Sequence, residues 1–351
     1  MLLVTGGAGF IGSNFVLQWI ANKKSPLINL DKLTYAGNLS NLESLSKNPL
    51  HTFVRGDIGD RDLVRSLLRK HQPQAIINFA AETHVDRSIH TPTQFVQTNI
   101  SSAFAFLDET YLYWKELPLH QREFFRFFNV STDEVFGSLS PEDAPSNEES
   151  PFAPNSPYAA SKASFDLLVR AYHQTFDFPT ITTHASNNFG PYQFPEKLIP
   201  LILVNALQEK PLPIYGDGLQ MRDWLYVEDH CSALDLLIEK GVPGQSYNIC
   251  HGHSIANLEL VKAICALLDE LRPNSLRRPH ASLIEFVKDR PGHDRRYALD
   301  GSKMRRLGWQ PKEDLQTAMR KTVAWYLGHQ KWLSALLSPG YKAWIASHYH
   351  E

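Results

Sequence analysis

Through its first half the chain alternates short apolar runs with longer amphipathic stretches. Leu2–Thr5, Leu27–Leu30, Thr52–Arg55, Ala75–Phe79 and Phe124–Val130 have the length of buried strands, and each ends near small or polar residues. Ile11–Ala21, Asp60–Lys70 and Pro92–Trp114 lie between them with helical spacing. This order predicts an α/β fold, a doubly wound parallel sheet with helices on both faces. Ligands of such sheets bind beyond the carboxyl ends of the strands. The polar residues just after each strand are therefore the ones to question.

After about Asn187 the pattern breaks. Pro and Gly become frequent, as in Gly190-Pro191, Pro211-Leu212-Pro213 and Gly216-Asp217-Gly218. A smaller, mixed α/β second lobe is expected over residues 187–351, with residues 1–186 forming the first. Tyr226–Lys240 and Ser246–Cys250 read as a helix and a strand that return to the first lobe, so the lobes should interleave. Pro141–Pro154 is acidic and proline-rich, as a surface loop is.

Composition narrows the function. Of 351 residues 43% are hydrophobic and 21% charged, enough for a sizeable core and against wholesale disorder. A net charge of −2 provides no field for holding nucleic acid or an acidic membrane. Cys231, Cys250 and Cys265 lack paired spacing, which favours a reducing compartment over a disulfide framework. No apolar run approaches the ~20 residues of a membrane helix. No basic segment precedes an apolar stretch at the start, so the cytoplasm is the expected location.

Gly6-Gly7-Ala8-Gly9-Phe10-Ile11-Gly12 follows the first strand and opens a helix. Glycines at 6, 9 and 12 allow a tight turn, close backbone approach and close helix packing, with helix-start amides facing a diphosphate. This is a Rossmann-type dinucleotide turn. Asp31 ends the second strand, where a carboxylate binds ribose hydroxyls and repels a 2′-phosphate, favouring NAD over NADP. Asp57, after the third strand, either accepts from an adenine amino group or caps the helix starting near Asp60.

Tyr158 and Lys162 stand at i, i+4 on a predicted helix, so their side chains share a face. A neighbouring ammonium and a positive nicotinamide ring should favour the phenolate, a base for a sugar hydroxyl. Ser131-Thr132 at a strand end should supply a hydroxyl to the same substrate oxygen. Asp133-Glu134 follows directly. Two adjacent carboxylates in a dry crevice should have at least one pKa raised, so that one donates a proton and the other accepts one. No metal is expected: His84 and His293 have no ligand-spaced carboxylate or cysteine partner.

These residues resemble the extended short-chain dehydrogenase/reductases and, within them, the dTDP-glucose 4,6-dehydratase family. The resemblance runs from Met1 to about Pro311. It rests on Asp31-Lys32-Leu33-Thr34-Tyr35-Ala36-Gly37-Asn38-Leu39, Ala80-Ala81-Glu82-Thr83-His84-Val85-Asp86-Arg87-Ser88, Ser131-Thr132-Asp133-Glu134-Val135, Asn187-Asn188-Phe189-Gly190-Pro191-Tyr192, Tyr215-Gly216-Asp217-Gly218 with Arg222-Asp223-Trp224, and Asp289-Arg290-Pro291-Gly292-His293-Asp294.

The resemblance implies a reaction. Tyr158 deprotonates the C4 hydroxyl of the glucose while NAD takes the C4 hydride, with Thr132 bonded to the C4 oxygen. Glu134 removes the C5 proton, Asp133 protonates the departing C6 hydroxyl, and the hydride returns to C6. The product is a 4-keto-6-deoxy sugar nucleotide, and NAD ends as it began. It further implies cofactor contacts from Gly6, Gly9, Phe10, Ile11, Gly12, Asp31, Lys32, Leu33, Thr34, Asp57, Ile58, Phe79, Ala80, Ala81, Glu82, Thr83, Thr98, Tyr158, Lys162 and Asn188. Substrate contacts are implied for Thr83, Thr132, Asn187, Lys197, Leu198, Pro213, Ile214, Tyr215, Arg222, Asn257, Asp289, Arg290, Pro291, Gly292 and His293.

Arg222 and Arg290 suit a nucleoside diphosphate on charge alone. Phe136 and Ala185 depart from the family's usual Tyr and Cys. The long helical patterns Pro92–Trp114 and Tyr158–Phe176 resemble those with which the family forms a homodimer. Trp332, Tyr341 and Trp344 are expected to cover the second lobe or an interface. Two alternatives stay open: a dehydratase of UDP- or CDP-glucose, and a UDP-glucose 4-epimerase, which has no need of Asp133-Glu134.

Overall fold

The protein's fold comes from a computed structural model that describes residues 1–337. Its strands are β1 (Leu2–Thr5), β2 (Leu27–Asp31), β3 (His51–Arg55), β4 (Ala75–Asn78), β5 (Arg126–Thr132), β6 (Thr180–Ala185), β7 (Asn187–Phe189), β8 (Leu212–Tyr215), β9 (Met221–Tyr226), β10 (Ser246–Ile249), β11 (Ser254–Ala256) and β12 (Ile284–Val287). Seven of them form one sheet in the order β10-β6-β5-β4-β1-β2-β3, and every pairing in it is parallel. β1, β2 and β4 are buried along their whole length, as strands covered on both faces must be. Strand order reverses between β1 and β4, which opens a crevice there.

β6 was not among the expected strands. Its sequence, Thr-Ile-Thr-Thr-His-Ala, mixes polar and apolar positions without a period, yet all six residues are buried. The expected helix Pro92–Trp114 is also not continuous. It runs as α-helix over Pro92–Phe95, π-helix over Val96–Ser102 and α-helix again over Ala103–Glu116. The wide turn brings the Asn99 amide onto the backbone of Glu82, accepting from its N–H at 2.8 Å and donating to its carbonyl at 2.9 Å.

Helix Phe10–Lys23 packs on helix Val227–Lys240 on one face of the sheet; Arg61–His71, Ala103–Glu116 and Pro157–Phe176 cover the other. Val227–Lys240 and β10 do return to the large sheet, β10 pairing with β6. Before and after them the chain builds a second core from Ile202, Ile214, Trp224, Leu260 and Val323 around the small sheets β11-β9-β7 and β12-β8. Trp332 packs on this core and donates to Asn41 Oδ1 of the first lobe at 2.8 Å. Tyr341 and Trp344 lie outside the described residues. Among the described residues no helix is long and apolar enough to cross a membrane.

Candidate active site

The glycine turn is built from contacts that leave no room for side chains. Gly6 has φ of +68°, and a Cβ on it would sit 2.7 Å from Ala80 N; one on Gly12 would sit 2.3 Å from Gly6 O. A Cβ on Gly9 would meet only Gly6 O, at 3.3 Å, so this face of the turn stays open. Asp31 is buried at the end of β2, where Oδ2 accepts from Ala8 N at 2.9 Å and Oδ1 from Leu33 N at 2.8 Å. Burial raises its pKa, and the two amides oppose the rise. Lys32 pairs with Asp57 at 2.6 Å. Burial would raise the Asp57 pKa, but Lys32 and the Gly59 amide outweigh it and hold the carboxyl low. Asp57 is not the helix cap: Asp60 fills that role, accepting from Leu63 N at 3.0 Å.

The reacting groups meet where β5 ends. Ser156 caps helix Pro157–Phe176 by accepting from Ala159 N at 3.0 Å, and Pro157 occupies its first turn. A cap of this kind is worth ~1 kcal/mol and fixes the turn that carries Tyr158. The Tyr158 phenol is buried, with the Thr132 hydroxyl among its neighbours. Burial, then Glu134, pushes it well above the ordinary tyrosine range, and Thr132 opposes. Lys162 lies one turn on, but its ammonium donates to Val130 O at 2.9 Å. The protein's own groups thus stabilise the phenol rather than the phenolate that the i, i+4 spacing suggested. Ser131 also departs from expectation: its hydroxyl donates to Asp166 at 2.7 Å, so Thr132 alone offers a hydroxyl to the cleft.

Asp133 and Glu134 are neighbours in unlike surroundings. Asp133 is buried; Oδ1 accepts from the Thr132 hydroxyl at 3.2 Å, and Oδ2 has no partner within the protein. Burial, with Glu134 and Asp223 adding, lifts its pKa well above the carboxyl range against the opposing pull of Arg222. Glu134 is only partly buried. Burial raises its pKa too, and the net shift stays upward although Lys197, Arg290 and Arg222 pull against it.

The three cations come from the second lobe and its border. Lys197 donates to Thr83 O at 2.6 Å. Arg222, buried on β9, donates to Asp294 O at 2.8 Å and stacks 4.2 Å from the Tyr297 ring centroid. Arg290 reaches Asp86 at 3.3 Å, and Tyr215 OH donates to the same carboxyl at 3.2 Å. Asp289 organises its loop: it accepts from Arg290 N at 2.9 Å and lies 2.6 Å from His293 Nδ1. Burial and Arg290 bring His293 down to about 4, so the ring is neutral near pH 7. Asn187 Oδ1, Asn257 Oδ1 and Arg290 Nε are buried without a hydrogen-bond partner. Asn188 instead accepts from or donates to its neighbours, His230 at 2.9 Å and Ser186 O at 2.9 Å. Pro213 and Ile214 are buried, and Ile214 belongs to the second core rather than to the cleft.

The sequence profile described as GDP-mannose 4,6 dehydratase matches residues 3–322. The chain belongs to that dehydratase family. It is 53% identical over 341 residues to a dTDP-glucose 4,6-dehydratase of Xanthomonas campestris pv. campestris strain B100, covering 97% of each chain. A solved dTDP-glucose 4,6-dehydratase from Bacillus anthracis, in complex with NAD, superposes with a TM-score of 0.84 at 42% identity, over 95% of this chain and 99% of that one. A double mutant of DesIV, a dTDP-glucose 4,6-dehydratase from Streptomyces venezuelae solved with NAD bound, gives 0.86 at 41%, over 96% and 99%.

In this member of the dehydratase family, sequence reasoning passed over several polar residues that shape the site. Asp86 has no role legible from its spacing, yet it anchors both Tyr215 and Arg290. Asn99 carried no signal, because a π-turn is not legible from spacing. Glu196 holds Tyr35 OH at 2.8 Å and Arg87 Nε at 3.2 Å, beside Lys197. Asp166 had a usable signal, at i+4 from Lys162. Phe136 packs edge-on against Phe152 and His184.

Proposed function

We propose that this chain dehydrates dTDP-glucose to dTDP-4-keto-6-deoxyglucose with bound NAD, a hydro-lyase reaction. The observation that carries the reading is the asymmetry at the end of β5. Burial raises both carboxyls, but Asp133 is lifted well above the carboxyl range and so is the better proton donor, while Lys197 and Arg290 favour the carboxylate of Glu134. One residue is an acid and the next a base, beside a tyrosine that reaches the same space.

The first lobe fits NAD. Gly6, Gly7 and Gly12, which a Cβ would crowd, line the turn, and Gly9 leaves it open. A carboxylate has about four acceptor positions. Two on Asp31 are filled by amides, which leaves room for a ribose diol and none for a 2′-phosphate. Gly6, Gly9, Phe10, Ile11 and Gly12 would line the diphosphate, Asp57 and Ile58 the adenine, and Tyr158, Lys162 and Asn188 the nicotinamide side. Held there, NAD would supply a reversible acceptor for the hydride of the sugar.

The chain's own groups do the rest. Thr132 and Tyr158 hold the C4 oxygen; the positive nicotinamide ring of bound NAD would favour the Tyr158 phenolate that the protein's own groups disfavour, and that phenolate takes the C4 hydroxyl proton. The C4 ketone acidifies the C5 proton, and Glu134 removes it. Asp133 gives its proton to the C6 hydroxyl, which leaves as water. Glu134 then returns a proton to C5. General acid or base help of ~10²–10⁴ per group is the usual scale. Arg222, Arg290, Lys197 and His293 face the nucleoside diphosphate from the second lobe, 187–351, while 1–186 with the return near 226–250 holds the dinucleotide. High identity to dTDP-glucose 4,6-dehydratases over almost the whole chain, together with the acid pair, disfavours a 4-epimerase.

Purified protein given dTDP-glucose is expected to form the 4-keto-6-deoxy product without consuming added NAD. Stoichiometric NADH accumulation would overturn the reading. Running UDP-, CDP- and GDP-glucose beside it tests the base preference. The protein works in the cytoplasm as a homodimer. Leu112, Leu167 and Phe176, at 43%, 55% and 42% exposure, put large apolar side chains on the outer faces of helices Ala103–Glu116 and Pro157–Phe176. Sedimentation of Leu167→Glu should show a monomer; an unchanged assembly would remove the dimer from this proposal.

A further inference from the structure

Beneath the end of β5 lies a buried polar cluster that the mechanism above does not use. Asp166 stands at its centre, 4% exposed, one helical turn beyond Lys162. Its Oδ1 accepts from Asn129 Nδ2 at 2.6 Å and its Oδ2 from Ser131 Oγ at 2.7 Å. Asn129 and Ser131 alternate on β5, so one carboxylate grips two successive residues on the same face of the strand. Between them is Val130, whose carbonyl receives the Lys162 ammonium at 2.9 Å. From β6, His184 Nε2 lies 3.3 Å from Asp166 Oδ2. The titratable groups facing Asp166 are therefore Lys162 and Tyr158 on its own helix and His184 on β6; β5 presents only neutral side chains.

We infer that Asp166 is a positioning residue for the proposed reaction: it clamps β5 to the helix so that Thr132, Tyr158 and Lys162 stay in register, and it is the counter-charge that keeps the buried Lys162 an ammonium. A carboxylate is a costly choice for a merely structural link here, since a neutral amide could make both hydrogen bonds. Burial lowers the Lys162 pKa, and Asp166 is the group that opposes it.

This inference rests on the functional reading above, so wild-type turnover of dTDP-glucose is measured first and tests that reading alone. Asp166→Asn then removes the charge and nearly keeps the shape. Asn129 can flip its amide to accept from the new one, because its Oδ1 has no other partner. In the variant kcat should fall while KM holds, and the alkaline limb of kcat should move about one unit toward lower pH. The sign follows from the charge: without the anion, Lys162 loses its proton sooner. A second readout needs no turnover. The melting-temperature gap between variant and wild type should shrink as pH rises, because the uncompensated ammonium is then neutral. A folded variant with an unmoved alkaline limb and a pH-independent gap would overturn the inference. Should Asp166→Asn not fold, Asp166→Glu decides: it should keep the wild-type limb with a lowered kcat, and full kcat or a shifted limb would equally overturn it.

Discussion

At the ends of β1 and β2 the charge is answered: buried Asp31 has an amide on each oxygen, and the more exposed Lys32 and Asp57 neutralise one another. At the end of β5 it is not. Asp133 Oδ2 and, across the cleft, Arg290 Nε and Asn187 Oδ1 are buried without partners, and Tyr158, Asp133 and Lys162 are all displaced from their ordinary pKa values by burial. The first region is finished before any ligand arrives, as a site that holds one molecule through many turnovers should be. The second is left under electrostatic tension that changes in protonation relieve, as a reacting site is.

The largest break should come from the finished end. Gly12→Val places side-chain atoms against Gly6 O, a backbone atom that cannot step aside. Retained dinucleotide, read by absorbance of the purified protein, should vanish and turnover with it, while circular dichroism still reports the sheet. At the reacting end Glu134→Gln should slow water loss ~10²–10⁴-fold. C4 oxidation would still show as a transient absorbance of reduced nicotinamide; elimination at the normal rate would mean that another group is the base. The smallest change should sharpen the contrast rather than break it. Arg290→Met takes one cation from Glu134, so its pKa rises further. The base acts only when ionised, so the acidic limb of kcat should move up by about one pH unit. A limb that stays in place would assign it to a different group.

The finished end was also the legible one. Glycine spacing, the strand before it, the helix after it and Asp31 are local facts, and each sits where the pattern put it. The acid pair could be found, but the unlike surroundings of its two carboxyls could not. What separates Asp133 from Glu134 is deeper burial of the first and the pull of Lys197 and Arg290 on the second, delivered from far along the chain. Ser131 was misassigned for the same reason: its partner Asp166 becomes a neighbour only once the helix lies on β5. β6 escaped because a strand covered on both faces owes no alternation to solvent, and its threonines and histidine hide the apolar run. The π-turn at Asn99 shows the limit from the other side, since a helical period says nothing of one extra residue in a turn.

β10 adds a consequence for how the molecule is made. β6 needs β10 as its outer neighbour, yet the whole excursion through β7, β8 and β9 lies between them. At ~5–20 residues per second on the ribosome, β6 waits several seconds as a bare edge. During that interval it can pair with another nascent chain as readily as with its own. Synthesis stalled inside the excursion should therefore yield an adhesive half-sheet, and residues 246–249 are the stopper that ends the hazard.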